Sequence, residues 1–187
     1  MVIKRFDLRP DGGYQGFEDF CVLNALVSAD KYSGSYESRL FKRVGEFTGA
    51  NRRAALESLF RLFVLNCAIR NGDAHLKNFG LTYGDANEDT NLAPVYDLVT
   101  TRAYIRMDTM ALTLGGTTRW PDKRKLVQLG QTRADLGTKQ VSEILEATAD
   151  SLAAQSVLVQ RYFIERSKHP AVGGPSDPGC MARRCCE

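Results

Sequence analysis

The chain has 187 residues, of which 43% are hydrophobic and 25% charged, with a formal net charge of +3. That balance excludes a disordered or membrane-spanning class, and the mixing of basic and acidic residues along the chain leaves no basic stripe able to neutralise many phosphates. The opening residues lack the apolar stretch of a secretory signal, so the expected compartment is the cytoplasm, with no membrane partner and no direct nucleic-acid partner.

In chain order, Val2 to Phe6 carry the β-branched and aromatic residues of a short strand, followed by a loop rich in Asp, Pro and Gly. Gly12, Gly13 and Gly16 lack the spacing of a phosphate-binding glycine loop and read as a flexible turn. From Phe17 to about Ala29 apolar residues recur at helical spacing, with Glu18 and Asp19 placed for a positive helix start. A polar connector, Lys31 to Tyr36, follows. Asn51 is positioned to cap a long helix from Arg52 to about Arg70, whose second half is apolar nearly all round and therefore buried.

That helix stops at Asn71-Gly72, a pair that readily takes up positive φ. The next segment places Asp73, His75, Lys77 and Asn78 on a loop ahead of a strand, Phe79 to Tyr83. A turn leads to Leu92 to Asp97, read as the second arm of a hairpin that aims Asp97 back at the loop. Pro121 opens a short helix to Leu129, and Thr138 to Ile164 reads as a long amphipathic helix. Residues after Lys168 lose periodicity and are expected to form a disordered tail. Three of the five cysteines fall in that tail, where they read as incidental because structural zinc needs four preorganised ligands; Cys21 and Cys67 read as small core residues.

The chemistry concentrates in Asp73-Ala74-His75-Leu76-Lys77-Asn78, a D-x4-N pattern, with a second acid, Asp97, nineteen residues after Asn78. Phosphoryl transfer requires a carboxylate near the attacking hydroxyl and oxygen ligands that hold Mg2+ against phosphates. Asp73 fits the first role, and Asn78 and Asp97 fit the second, with His75 and Lys77 facing the phosphates. Taken alone the pattern has a plainer reading, in which Asp73 makes an Asx-turn and Asn78 caps a strand.

Lys4-Arg5-Phe6-Asp7, Glu18-Asp19-Phe20-Cys21, Lys31-Tyr32-Ser33-Gly34-Ser35-Tyr36, Asn71 to Asn78 and Ala93-Pro94-Val95-Tyr96-Asp97 occur in an order that resembles the HipA-type toxin kinases. The resemblance implies an α+β, mainly α fold: the helical carboxy-terminal lobe of a protein kinase over residues 1–167, with a small hairpin carrying the metal ligands. It further implies a serine/threonine-protein kinase of a bacterial type II toxin–antitoxin module, using ATP and Mg2+. Carried over, Asp73 is catalytic, Lys4, Arg5 and Phe6 are the hinge beside adenine, and His75, Leu76, Lys77, Asn78, Tyr96 and Asp97 bind ATP, with Asn78 and Asp97 on the metal.

The implied partners are a protein substrate, in the best-known members an aminoacyl-tRNA synthetase, and a HipB-like antitoxin through which nucleic acid would be met indirectly. Leu8, Val22 and Ser33 depart from the family's usual residues without removing a catalytic group. The phosphate-covering loop and the lysine that pairs the α- and β-phosphates have no counterpart before the hinge, so the isolated chain is expected to be feeble or inactive until completed by an amino-terminal lobe, carried on a longer reading frame or on a separate polypeptide. Three other readings stay open: a non-catalytic lobe that binds an antitoxin or partner lobe, a decayed gene product, and a small-molecule kinase of the aminoglycoside or choline type.

Overall fold

The computed structural model describes residues 5–85 and 90–168, and the chain divides into two compact units, Met1–Ala149 and Asp150–Glu187. The first unit is organised around one long helix, α3 (Arg52–Ile69), in which Leu56, Leu59 and Phe60 are fully enclosed and, in the apolar second half, Leu62, Phe63, Val64 and Cys67 are buried. On its exposed side Arg61 pairs with Glu57, one turn apart.

A three-stranded antiparallel sheet, in the order β1 (Gly16–Asp19), β2 (Gly80–Tyr83), β3 (Asn91–Leu92), lies beside this helix. Here the structure departs from the helical reading of Phe17 to Ala29. Gly16 to Asp19 pair residue by residue with Tyr83 to Gly80, and in place of a continuous helix there follow one α-helical turn, α1 (Phe20–Leu23), and a separate 3-10 turn at Ser28–Asp30. The competing interaction is the ladder itself: Gly80 has no Cβ, and one placed there would lie 2.4 Å from the Phe17 ring, so this glycine lets β1 approach β2 with Phe17 packed over it. Asp19 still serves a helix start, accepting from the Cys21 and Val22 amides as the cap of α1. Asn24 ends that turn; its buried amide donates to the carbonyls of Phe20 and Arg39 at 2.7 and 2.9 Å.

A π-helical turn (Glu37–Phe41) runs into α2 (Lys42–Phe47), which places Leu40, Phe41 and Val44 against α3. Asn51 precedes α3 but makes no side-chain cap; its amide donates to Asn91 instead, at 3.0 Å, tying the helix start to β3. The arm expected to run through Asp97 is paired only at Asn91–Leu92, and beyond Ala93, whose amide reaches the Gly80 carbonyl, it leaves the sheet. Pro94, which has no amide to donate, fits that exit.

Helix α4 spans Lys123–Arg133, capped by Asp122, whose carboxylate accepts from the Lys125 amide at 2.8 Å. It thus starts two residues after Pro121. Helix α5 runs Thr138–Lys168; Val141 and Ile144 are buried in the core of the first unit. In the second unit the described residues continue α5, and Val157 and Leu158 are more than half exposed there. No helix among the described residues is long and apolar enough to cross a membrane. The expected strand at Val2 to Lys4, His169 and the tail cysteines lie outside the described residues, and Arg5 and Phe6 are not in a strand. Cys21 and Cys67 are buried free thiols, as read from sequence, and burial pushes the Cys67 thiol up to about 12.

Candidate active site

The end of α3 fixes the position of the loop that carries Asp73. Arg70 takes the left-handed conformation (φ 57°), which turns the chain back so that the Asn71 amide bonds the Asn66 carbonyl at 2.9 Å. Both asparagines are buried. The Asn71 side chain donates to Asn66 Oδ1 at 2.7 Å and accepts from the Asp73 amide at 3.1 Å, while Asn66 donates to the Leu62 carbonyl. A buried amide pair thus satisfies the helix end and holds the backbone at Asp73. Gly72 donates to Thr101 Oγ1 at 2.7 Å, and Thr101 in turn bonds Asp108; a Cβ at Gly72 would lie 2.1 Å from the Asp108 carboxylate.

Beyond Asp73 the loop tightens into a single 3-10 turn, Leu76–Asn78, in which Asn78 Oδ1 accepts from the His75 amide at 3.0 Å. The other end of the same side chain donates to Asp97 Oδ2 at 2.5 Å. Two residues nineteen apart in sequence are therefore joined directly. Asp97 sits at φ 55°, a conformation that aspartate tolerates better than most residues. The preceding residue, Tyr96, donates its phenol to the Lys77 carbonyl at 2.9 Å, a second link between the two segments; burial, with Asp19 and Asp97 nearby, drives its pKa upward.

The remaining sequence candidates separate into distinct environments. Leu76 is wholly buried in the core and contributes its amide to the Lys31 carbonyl. The Lys77 ammonium is held by Asp19 at 2.7 Å, and that hydrogen bond raises its pKa. His75 is buried, its ring edge-on to Tyr32 with centroids 5.1 Å apart; burial first, then Lys31, lowers its pKa and favours the neutral imidazole. Lys4 lies outside the described residues, and Arg5 is an exposed partner of Asp7.

Phe6 stacks on Tyr96 at 5.9 Å and meets Phe17 edge-on at 5.7 Å. These three rings, with Val95, Asp97 and Val99, line an open groove of 860 Å3 that brings the segment at Arg5 and Phe6 to the carboxylate of Asp97. An apolar, aromatic-walled groove ending at a carboxylate suits a flat heteroaromatic ring with a charged substituent.

Sequence reasoning assigned no role to Tyr32, Tyr36 or the Asn66–Asn71 pair. Tyr32 donates to Asp73 Oδ1 at 2.6 Å, and Tyr36, fully buried, donates to the Ala74 carbonyl at 2.9 Å. The available signal was the Lys31 to Tyr36 segment, with two tyrosines four residues apart around a glycine that adopts φ 100°. Asp19 was legible only as a helix-start acid; its pairing with Lys77, fifty-eight residues away, is set by β1–β2 pairing.

Among the described residues no three of His, Cys, Asp and Glu converge as a metal cluster. Asp97 offers hard carboxylate oxygens of the kind magnesium takes; Asn78 meets that carboxylate through Nδ2, with Oδ1 on the His75 amide, so a donor role for Asn78 would use the second lone pair of that oxygen. The residues present fit a cation shared with a nucleotide rather than a dedicated protein cage.

The family model of the HipA-like C-terminal domain matches residues 1–156. In Sinorhizobium fredii, "Putative kinase Y4dM" is 33% identical over 159 residues, covering 82% of this chain and 37% of the relative. "Putative kinase Y4mE" of the same organism is 27% identical over 177 residues, covering 82% and 39%. The chain thus spans about two fifths of the length of these relatives. A solved structure of Shewanella oneidensis HipA with HipB and operator DNA superposes with a TM-score of 0.66 at 20% identity, covering 83% of this chain and 41% of that one, which shows a shared kinase-like fold. The chain belongs to the HipA-like C-terminal domain family.

Proposed function

We propose that residues 1–167 form the catalytic lobe of a HipA-type serine/threonine-protein kinase, the toxin of a toxin–antitoxin module, acting in the cytoplasm on a protein hydroxyl with ATP and Mg2+. The observation that supports this reading is the hydrogen bond from Asn78, on the loop that carries Asp73, to Asp97, on the segment after β3. Asp73 accepts a hydrogen bond from the substrate hydroxyl and orients it. Asn78 and Asp97 present oxygens to the cation. The ring-lined groove of Phe6, Phe17 and Tyr96 takes the adenine. Magnesium, when bound with nucleotide, supplies neutralisation of charge on the transferring phosphoryl group.

Lys77, engaged by Asp19, keeps its loop against β1, while His75 in its neutral form offers no positive charge to a phosphate. Charge stabilisation on the α- and β-phosphates is therefore assigned to a second lobe, carried elsewhere in a longer polypeptide or on a separate chain. A HipB-like antitoxin is the proposed protein partner, and through it operator DNA, by analogy with the partners in the Shewanella complex. The test, run with the second lobe supplied so that the wild type transfers, is phosphoryl transfer from γ-labelled ATP, with the phosphorylated side chain located by mass spectrometry. Asp73→Asn is expected to reduce transfer on the order of 100-fold or more, as loss of a positioned acid–base group does. Equal transfer by the folded Asp73→Asn variant and the wild type would refute the assignment.

A further inference from the structure

The Lys31 to Tyr36 segment has no role in the account so far, yet it lies along the candidate catalytic loop through successive bonds. The Leu76 amide donates to the Lys31 carbonyl at 3.1 Å, Tyr32 Oη donates to Asp73 Oδ1 at 2.6 Å, and Tyr36 Oη donates to the Ala74 carbonyl at 2.9 Å. The Tyr32 ring is further fixed by its edge contact with His75 and by the Lys31 ammonium 5.0 Å from its centroid. Gly34, at φ 100°, makes the turn between the two tyrosines, and a Cβ there would lie 2.7 Å from the Arg39 side chain.

Of the two oxygens of Asp73, Oδ1 receives the phenol, and Oδ2 carries no hydrogen bond among the described residues. We propose that Tyr32 is a positioning residue of the phosphotransfer site: its phenol locks Asp73 Oδ1, so that Oδ2 is presented to the substrate hydroxyl. The inference rests on the reading of Asp73 given above. A charge-assisted bond of this kind is both short and directional, which suits it to fix a carboxylate rotamer. Tyr36 differs in kind, because it binds a backbone carbonyl from the core and sets the path of the loop rather than the carboxylate. The same bond holds the Tyr32 phenol protonated, its pKa pushed up to about 12 mainly by Asp73.

Two readouts on the full chain test the proposal. The first is nitration by tetranitromethane at pH 8, which requires phenolate, mapped peptide by peptide. Tyr32 is about half exposed, whereas Tyr14 and Tyr104 are 64% and 89% exposed and serve as internal references. Tyr32 is expected to nitrate at least tenfold more slowly than Tyr104 in the wild type, and Asp73→Asn to raise the Tyr32 rate several-fold while Tyr14 and Tyr104 stay unchanged. Nitration of wild-type Tyr32 at the Tyr104 rate, or no response to Asp73→Asn, would overturn the bond and the proposal with it. The second readout is steady-state phosphoryl transfer by Tyr32→Phe, which keeps the ring and its His75 contact. The expected result is a kcat lower by on the order of tenfold, the scale of one hydrogen bond to a charged group, with KM for Mg·ATP unchanged. Wild-type transfer with an unchanged kcat in Tyr32→Phe sinks this inference alone. Absence of Mg·ATP binding by the folded wild-type chain, or of transfer once the second lobe is supplied, sinks the kinase reading, and the positioning role falls with it.

Discussion

Asn71→Ala probes the buried amide pair that joins α3 to the Asp73 loop. Asn71 is 2% exposed and Asn66 5%, so neither can exchange its partner for water. The substitution removes two hydrogen bonds, Asn71 Nδ2 to Asn66 Oδ1 and the Asp73 amide to Asn71 Oδ1. Each is worth about 0.5–1.5 kcal/mol net, and leaving Asn66 Oδ1 buried without a donor adds about 1–3 kcal/mol. Because the Asp73 amide is only partly buried and finds water, the sum is about 2–4 kcal/mol, a large share of the roughly 5–15 kcal/mol that holds a domain folded. Urea unfolding followed by circular dichroism reads this as a lower midpoint at constant slope, and a thermal melt as a fall of roughly 6–12 °C for a loss of 3 kcal/mol. The Asn66→Ala/Asn71→Ala double variant is informative because it removes the orphaned acceptor. Its cost should fall short of the sum of the single variants by about 1–2 kcal/mol. A single-variant loss below about 0.5 kcal/mol, or strict additivity, would refute the claim that this pair anchors the loop.

Two further outcomes follow from the same structure. His75 has a folded pKa below its ordinary value of about 6.5, because it is buried and faces Lys31, with Asp73 and Asp97 opposing in part. Its neutral form is the one the fold accommodates, so its contribution to stability is complete above pH 6.5 and is lost as pH falls from there through the folded value. Urea midpoints at pH 7.5 and 5.5 should therefore diverge more for the wild type than for His75→Gln; equal divergence would contradict this. Gly80→Ala places a Cβ 2.4 Å from the Phe17 ring and 2.9 Å from the Glu18 carbonyl, and the carbonyl cannot yield without opening the β1–β2 ladder. A loss of about 1–3 kcal/mol is expected from such overpacking, and an unchanged melt would show that β1 is free to move.

The sequence made the long elements legible because their signals are local. The apolar second half of α3 and the two late helices follow from periodicity, and each helix lies close to its expected span, but the left-handed residue that ends α3 is Arg70, in place of the Asn71-Gly72 pair expected to take positive φ. Gly16 to Asp19 misled for a physical reason: the spacing of Phe17, Phe20 and Cys21 suits a helix, while the ladder to Gly80–Tyr83 that wins is non-local and invisible to a window. The site shows the same division. Asp73, Asn78 and Asp97 were found through their spacing, and the meeting of Asn78 with Asp97 bears out the expectation that Asp97 turns back on the loop. It does so by a left-handed backbone at Asp97 outside the sheet, in place of a long paired strand. The partners that tune the loop, Asp19 on Lys77 and Tyr32 on Asp73, come from segments brought in by tertiary folding, which no spacing rule encodes.

The central claim, that Asn78 and Asp97 form a nucleotide-bound cation site, is tested most directly by calorimetric titration of ATP with and without Mg2+ into the folded wild-type chain and its Asp97→Asn variant. Asparagine suits this comparison because it removes the charge while tolerating the left-handed backbone at this position. Mg2+-dependent binding by the wild type and a loss of affinity of tenfold or more in the variant are expected. Folded wild type that takes up no Mg·ATP, or a variant that binds it as tightly, would contradict the account.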